Sequence, residues 1–260
     1  MGSILSCLHY NGRMENVRPR MLLYLRRSLW AALLVLLCFF VLSAGTVLAL
    51  RWLNPPWTAY MLETQARLSQ NRQPVQLRQQ WVPIDRVSGV MSLAVVASED
   101  QTFPFNHGFD LEAIQNAIQY NAHHENLHGA STITQQTAKN LFLWPAKTYF
   151  RKIVGAWFTI LIDVLWPKKR VLEVYLNIAQ FGDRIFGVKA AAHHYFGIAP
   201  AQLSARRSAL LAAVLPAPAE YSVTRPSPYV RQRVNWIMNQ MQNLGSGYLT
   251  GIGVAPARLP

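Results

Sequence analysis

The sequence predicts a mainly α-helical protein with a single transmembrane helix near its N-terminus. Residues 28–50 form a run of 23 residues without one charged side chain. Beyond residue 81, apolar residues recur with the three- and four-residue spacing of amphipathic helices. No block of sequence is rich in strand-like alternation. These observations favour a membrane anchor followed by a nearly all-α domain.

The apolar run 28–50 is long enough to cross a bilayer as a helix, because at roughly 1.5 Å per residue it covers a hydrocarbon core of about 30 Å. Four arginines closely precede the run: Arg18, Arg20, Arg26 and Arg27. Only Arg51 follows closely, so residues 1–27 are expected in the cytoplasm and the residues after the span on the other side of the membrane. A cleaved signal peptide with small residues at 43–45 is the alternative, but the run exceeds the roughly 7 to 15 residues of a signal core.

The charge balance points to an anionic partner. Lysine and arginine total 25 against 12 acidic residues, which gives a formal net charge of +13. Nucleic acid, an anionic membrane surface and a phosphate-bearing substrate all suit such a surplus. Nucleic acid is disfavoured, because the surplus is expected outside the cytoplasm and no binding motif is present. Both cysteines, Cys7 and Cys38, lie before or within the span, so the exported part has no disulfide.

Three further segments follow the anchor. Residues 51–80 contain the helix-breaking pair Pro55 and Pro56 near their start, and a Gln/Arg-rich stretch follows. They are expected to form a solvated juxtamembrane connector. Residues 81–245 are expected to form the globular domain, and residues 246–260 a disordered tail. The expected helices cover residues 92–100, 110–121, 131–143, 147–165, 168–180, 188–196, 204–215 and 226–247.

The segment HGASTITQQTAKNLFLW, residues 128 to 144, predicts an amphipathic helix with an unusual polar face. Three residues fall on one side: Ile133, Thr137 and Leu141. Three polar residues fall on the other: Thr132, Gln135 and Lys139. That face carries amides, hydroxyls and one amine in place of the usual Glu/Lys mixture. A solvated face with Ser131 as the N-cap is the alternative interpretation.

Few side chains are suited to chemistry. Glu99 and Asp100 end an apolar helix, where a carboxylate loses water and becomes a candidate general base, or forms a surface pair capping a turn. Lys139 is followed by two cationic clusters that could neutralise a diphosphate or touch lipid headgroups. They are Arg151 and Lys152, then Lys168, Lys169 and Arg170. No metal site is expected, because the paired histidines 123–124 and 193–194 do not share a helical face.

Several motifs occur in a familiar order: ASEDQTF followed by HGFD, GASTITQQTAKNLFL, RK, KKRVLEVYLNIAQFGDRIFGVKAAAHHYFG, and LSARRSALLAAVLPAPAEY. From about Arg51 to Ser222 the chain resembles the family 51 peptidoglycan glycosyltransferases. The resemblance implies a lysozyme-like α-helical domain with a hydrophobic lobe that dips into the inner membrane. It also implies polymerisation of lipid II into β-1,4-linked glycan strands, with release of undecaprenyl diphosphate.

The resemblance assigns roles to particular residues. Glu99 matches the general base that takes the proton of the acceptor 4-hydroxyl. Lys139 and Arg151, together with Lys152, match the groups that hold the diphosphate, sometimes with a divalent cation such as magnesium that is not obligatory. The polar wall of the cleft is matched by Ser131, Thr132, Gln135, Gln136 and Asn140. The implied partners are lipid II, the growing glycan strand, membrane lipids, and cell-division or elongation proteins.

The match departs from the family pattern at a second active-site glutamate, which is replaced by Gly155 in the motif RKIVG. A glycine offers no carboxylate and costs about 1 kcal/mol relative to alanine inside a helix. Asp163 lies about 12 Å further along the helix axis, too far to substitute simply. A lipid II-binding scaffold without turnover is therefore an alternative, and a lysozyme-like hydrolase is another.

Three further positions differ from the family pattern. Asn106 occupies a histidine position, with His107 one residue later, and Gln180 and Arg207 replace glutamates. The last two look structural and remove negative charge.

Overall fold

The structure is a computed structural model that describes residues 17–69, 76–123, 129–146 and 148–259, with side chains from residue 23 onward. It contains two compact units, one up to Thr46 and one from Val47. The first unit is most of helix α1 (Val17–Leu50), which begins earlier than the predicted run. Its segment Leu23–Leu50 is long and apolar enough to cross a membrane. Most large apolar side chains between residues 23 and 42 are exposed, as suits a helix surrounded by lipid.

The second unit is mainly helical, as the sequence predicts. Its helices are α2 (Ala59–Ser69), α3 (Gly89–Glu99), α4 (Leu111–Asn121), α5 (Ile133–Phe142), α6 (Tyr149–Leu165), α7 (Lys168–Ile178), α8 (Val188–Phe196), α9 (Ala205–Val214) and α10 (Pro228–Leu244). Three 3₁₀ turns cover Ile84–Arg86, Pro200–Gln202 and Thr250–Ile252. Helix α7 is shorter than predicted, because the chain leaves it at Ala179 and enters a strand.

A small sheet accompanies the helices. Its strands are β1 (Arg78–Gln79), β2 (Gln180–Gly182) and β3 (Ile185–Phe186), in the order β1-β3-β2. Strand β3 pairs in parallel with β1 and antiparallel with β2. Gly187 follows with a φ of 80°, and a Cβ atom there would lie 2.7 Å from the carbonyl oxygen of Asn177. Only glycine allows this close return of the chain to the end of α7.

The core is built around α3. Every residue of α3 from Gly89 to Ala97 is buried, and α9 and α10 pack against it. Its sequence is apolar on all sides, as expected for a helix enclosed by neighbours. The helix therefore carries its last residue, Glu99, directly from the apolar core to the edge of the domain.

The expectation of a solvated connector over residues 51–80 differs from the structure, which has helix α2 there. Thr58 accepts a hydrogen bond from the Met61 amide at 3.1 Å and so starts the helix. Met61 and Thr64, one turn apart, are buried, and α2 packs against α5. Tyr60 donates a hydrogen bond to Gln180 Oε1 at 2.6 Å. The sequence did not predict this helix, because the segment is mostly polar and only a narrow face of it is buried.

The expectation of a disordered tail is wrong for residues 246–259. Leu249, Val254 and Ala257 are buried, and the Ala257 amide donates to the carbonyl of Ser246 at 2.8 Å. The tail passes over the start of α3, where a Cβ atom at Gly89 would lie 2.3 Å from the carbonyl oxygen of Ala255. Three small apolar side chains are enough to fix a short segment when they enter an existing core.

Candidate active site

Glu99 is held at the end of α3 by three side-chain donors. Its Oε1 accepts from the hydroxyl of Ser98 at 3.0 Å and from Nη2 of Arg233 at 3.4 Å. Its Oε2 accepts from Nε2 of Gln136 at 3.0 Å. Only 11% of the Glu99 side chain is exposed. The carboxylate is therefore oriented and largely shielded from water, while one edge remains open to a cavity.

Asp100 has a different role from its neighbour. Its Oδ2 accepts from the backbone amide of Ile133 at 2.9 Å, at the start of α5, and its Oδ1 accepts from Asn106 at 2.8 Å. Burial raises the pKa of Asp100, and these hydrogen bonds partly offset that effect. Of the two acids that the sequence singled out, Asp100 caps a helix and Glu99 faces the cavity.

The start of α5 differs from the alternative interpretation, in which Ser131 is the N-cap. Thr132 is the N-cap, and it forms a capping box with Gln135. The Thr132 hydroxyl also donates to the carbonyl of Gly108 at 2.6 Å, and only 1% of the residue is exposed. Thr132 thus orients α5 and does not present its hydroxyl along an open wall. Ser131 is exposed and lines the cavity beside Glu99.

Gln136 connects Glu99 to the buried phenol of Tyr175. Tyr175 donates to Gln136 Oε1 at 2.9 Å, so the amide must present its NH₂ group to Glu99. Burial raises the pKa of Tyr175 well above its ordinary value, with further contributions from the negative charges of Glu99 and Asp100. The phenol therefore remains a donor, and the orientation of Gln136 is fixed by chemistry as well as by packing.

Lys139 and Arg151 form the cationic part of the site. Lys139 is exposed in the last turn of α5, and partial desolvation lowers the pKa of its amine; Arg151 lowers it further. Glu63 on α2 acts in the opposite direction. Arg151 lies in the first turn of α6, after the N-cap Thr148. Its Nε atom is buried, and no hydrogen-bond partner for it appears in the described part of the chain.

The remaining cations are differently placed. Lys152 is exposed and lies 5.5 Å from the ring of Tyr149, on a helix turn that also exposes Phe150. The cluster at the start of α7 is occupied by ion pairs: Lys168 with Asp163, Lys169 with Asp85, and Arg170 with Glu173. The positive charge of this cluster is therefore already partly neutralised by acids of the fold itself.

A cavity of about 1110 Å³ adjoins Glu99. One wall comes from α5 and the preceding residues, including Ser131 and Gln136. Helix α10 contributes a further part of the lining, which was not predicted from the sequence: Tyr229, Gln232, Arg233 and Trp236. The spacing of Tyr229, Arg233 and Trp236 is i, i+4, i+7, a mixed aromatic and basic helix face that could have indicated a sugar-binding surface. Gln135 and Asn140 are half-buried on α5.

Gly155 leaves the site without a carboxylate on α6. A Cβ atom there would lie 3.0 Å from Cδ1 of Leu143, at the end of a flexible side chain. Asp163 does not replace the missing acid, because its carboxylate pairs with Lys168 at 2.8 Å. Within the described residues, no three His, Cys, Asp or Glu side chains lie close enough together to hold a metal ion.

The other departures from the family pattern are accommodated locally. Asn106 donates to Asp100 and accepts from Lys168 at 3.1 Å, so it bridges two elements. Gln180 donates to the carbonyl of Gly182 at 2.9 Å and accepts from Tyr60. The guanidinium of Arg207 lies 5.4 Å from the ring of Phe196. Each of these three side chains thus contacts a neighbouring part of the fold.

Comparison with known proteins agrees with this architecture. Residues 65–242 match the family model described as Transglycosylase. Three relatives carry the name biosynthetic peptidoglycan transglycosylase. The protein from Pseudomonas putida (strain GB-1) is 48% identical over 81% of this chain and 89% of its own length. The protein from Ectopseudomonas mendocina is 49% identical over 85% and 92%, and that from Chromohalobacter salexigens is 48% identical over 87% and 97%. The chain therefore belongs to the transglycosylase family.

Proposed function

We propose that this protein is a membrane-anchored peptidoglycan glycosyltransferase that polymerises lipid II and releases undecaprenyl diphosphate. The observation that carries the proposal is the arrangement along α5. Gln136 binds the Glu99 carboxylate, and Lys139 follows three residues later, so the residue that holds the acid and the amine lie about one turn apart on the same helix. A base and a cation at that spacing suit a transfer in which a hydroxyl loses a proton as a phosphate leaves.

The reaction can be written on these residues. Glu99 accepts the proton of the acceptor 4-hydroxyl while that oxygen forms a bond to C1 of the donor sugar. The bond from C1 to the diphosphate oxygen breaks, and the configuration at C1 inverts. Lys139 and Arg151 stabilise the negative charge that develops on the leaving diphosphate. The planar guanidinium of Arg151 can donate to two phosphate oxygens at once.

The same proposal includes a location and partners. The arginines that precede the apolar run 28–50 favour a cytoplasmic N-terminus and a periplasmic domain on the inner membrane. Membrane lipids would contact the apolar side chains exposed near the cations, including Tyr149, Phe150 and Ile153. Cell-division or elongation proteins are further proposed partners.

A divalent cation such as magnesium does not fit this donor set well. The two groups proposed to bind the diphosphate, Lys139 and Arg151, are both cations. The carboxylate that α6 would otherwise contribute is missing, because position 155 is glycine. Mg²⁺ prefers carboxylates together with phosphate oxygens. We therefore propose that charge neutralisation depends on Lys139 and Arg151, with no obligatory cofactor.

The test is polymerisation of labelled lipid II by the full-length protein in detergent. The wild type should make long glycan strands, and Glu99→Gln should lower the rate at least about 100-fold, because the amide cannot accept the proton. Glu112→Gln is the control, since it removes one charge from an exposed position on α4.

Two results would favour the alternatives. A wild type that binds lipid II without making glycan, while Gly155→Glu makes glycan, would identify a lipid II-binding scaffold. Release of soluble fragments from finished peptidoglycan would identify a hydrolase.

A further inference from the structure

Helix α2 brings a carboxylate to the cationic part of the site. Helices α2 and α5 pack together, and the buried residues Met61 and Thr64 of α2 lie on either side of Glu63 in sequence. Glu63 is half-buried. Its negative charge acts on Lys139 of α5 from this position.

We infer that Glu63 is a positioning residue, which supplies from a neighbouring helix the negative charge that holds the Lys139 ammonium beside Arg151 for the diphosphate. This inference rests on the proposed function. It also assigns helix α2 a role in the site, whereas the sequence predicted only a connector over residues 51–80.

The need for such a charge follows from the neighbours of Lys139. Arg151 reaches it from α6 and repels it, while Glu63 attracts it from α2. Helix α6 could supply an acid at position 155, four residues after Arg151 and on the same face, but that residue is glycine. The carboxylate of Asp163 is paired with Lys168.

The charged group nearest to Glu63 on its own helix is Arg67, four residues later. Arg67 and Glu63 both act on the phenol of Tyr60, in opposite directions. Glu63 can therefore be shared between Arg67 and Lys139. In the described part of the chain, no acidic group other than Glu63 acts on Lys139 to raise its pKa.

The expected pH dependence follows from the signs of these effects. Burial and Arg151 lower the pKa of Lys139, and Glu63 raises it. Removing the Glu63 charge lowers that pKa further, so Lys139 loses its proton at a lower pH. Because the neutral amine cannot stabilise the diphosphate, the alkaline limb of the kcat/KM profile should move to lower pH by about 0.5 unit or more.

The experiment compares pH profiles of lipid II polymerisation for the full-length wild type and three variants. Glu63→Gln should shift the alkaline limb, Glu63→Asp should keep it near the wild-type position, and Glu112→Gln is the charge-matched control. In the double variant Glu63→Gln with Gly155→Glu, the alkaline limb of the pH profile should return toward its wild-type position. The new acid would lie one turn from Arg151, and Leu143 can move to admit it.

A second measurement does not depend on turnover. The lysines are ¹³C-methylated and titrated by NMR in detergent, with Lys139→Arg identifying the Lys139 signal. The Lys139 pKa should fall in Glu63→Gln and not in Glu112→Gln. An unshifted Lys139 signal, or equal profiles for the two glutamine variants, would overturn the inference. A wild type that makes no glycan overturns the proposed function, and the titration still decides whether Glu63 acts on Lys139.

Discussion

At the scale of single residues, the candidate base depends on a chain of side-chain donors. Tyr175 donates to Gln136, and Gln136 donates to Glu99. An amide can present either its oxygen or its NH₂ group, so a fixed donor at one end decides what the other end offers. The buried phenol has this function, because its raised pKa keeps it protonated.

Replacing Tyr175 with phenylalanine should therefore reduce both the activity and the stability of the protein. The loss leaves the Gln136 oxygen without its donor, which costs about 1–3 kcal/mol of unfolding free energy. We expect kcat to fall about tenfold, because Gln136 can then turn its oxygen toward Glu99.

Tyr195→Phe is the matched control for this prediction. Its hydroxyl donates to the carbonyl of Phe181 at 2.9 Å, away from Glu99. It should lose stability with nearly unchanged kcat. Equal kcat losses in the two variants, measured with labelled lipid II beside thermal unfolding, would contradict a role for the Tyr175 hydroxyl in orienting Gln136.

At the scale of elements, helix α10 lines the cavity beside Glu99 together with α5. Trp236 is partly exposed there, and the guanidinium of Arg233 lies 6.0 Å from its ring. An aromatic face at a cavity of this size can pack against a sugar ring without requiring one fixed hydrogen bond. Helix α10 therefore lines the cavity beside Glu99 as well as packing against the core around α3, and we expect it to contact the substrate.

Trp236→Ala should raise KM for lipid II more than it lowers kcat. We expect kcat/KM to fall about tenfold, because the aromatic contact is removed and the Glu99 donors remain. Trp236→Phe keeps a ring and should retain most of the activity. If the alanine and phenylalanine variants had the same KM for lipid II in steady-state polymerisation, an aromatic ring at position 236 would not contact the substrate.

The elements also show where sequence reasoning succeeds. The periodicity over residues 188–196 predicts α8 at the bounds that the structure has, since a repeated apolar spacing is a local property. Helix α2 was missed because only Met61 and Thr64 of its sequence are buried. Arg233 was missed because its contact with Glu99 joins residues 134 positions apart, and the periodicity of one helix does not reveal such a pair. Glu99 could be singled out from the sequence because an acid at the end of an apolar helix is unusual in itself, and the structure places it at the cavity.

At the scale of the whole molecule, the last residues of the chain close the core at the start of α3. The carbonyl oxygens of Ala255 and Pro256 would lie 2.3 and 2.7 Å from a Cβ atom at Gly89. Tyr248 contributes a second contact, because its hydroxyl donates to the carbonyl of Gln101 just after α3. Both ends of the helix that carries Glu99 are thus in contact with residues 246–259.

Gly89→Ala tests this closure with a single methyl group. Both neighbouring atoms belong to the backbone, so the tail must move or α3 must shift. We expect a loss of about 1–3 kcal/mol in unfolding free energy.

The matched control is Gly251→Ala, in the tail itself, where a Cβ atom would meet nothing within 4 Å. Thermal unfolding and limited proteolysis of the full-length protein would measure the effect. Gly89→Ala should unfold at a lower temperature and be cut more readily near its C-terminus than Gly251→Ala. Equal behaviour of the two variants would mean that the tail does not support α3, and the position of Glu99 would then depend on α9 and α10 alone.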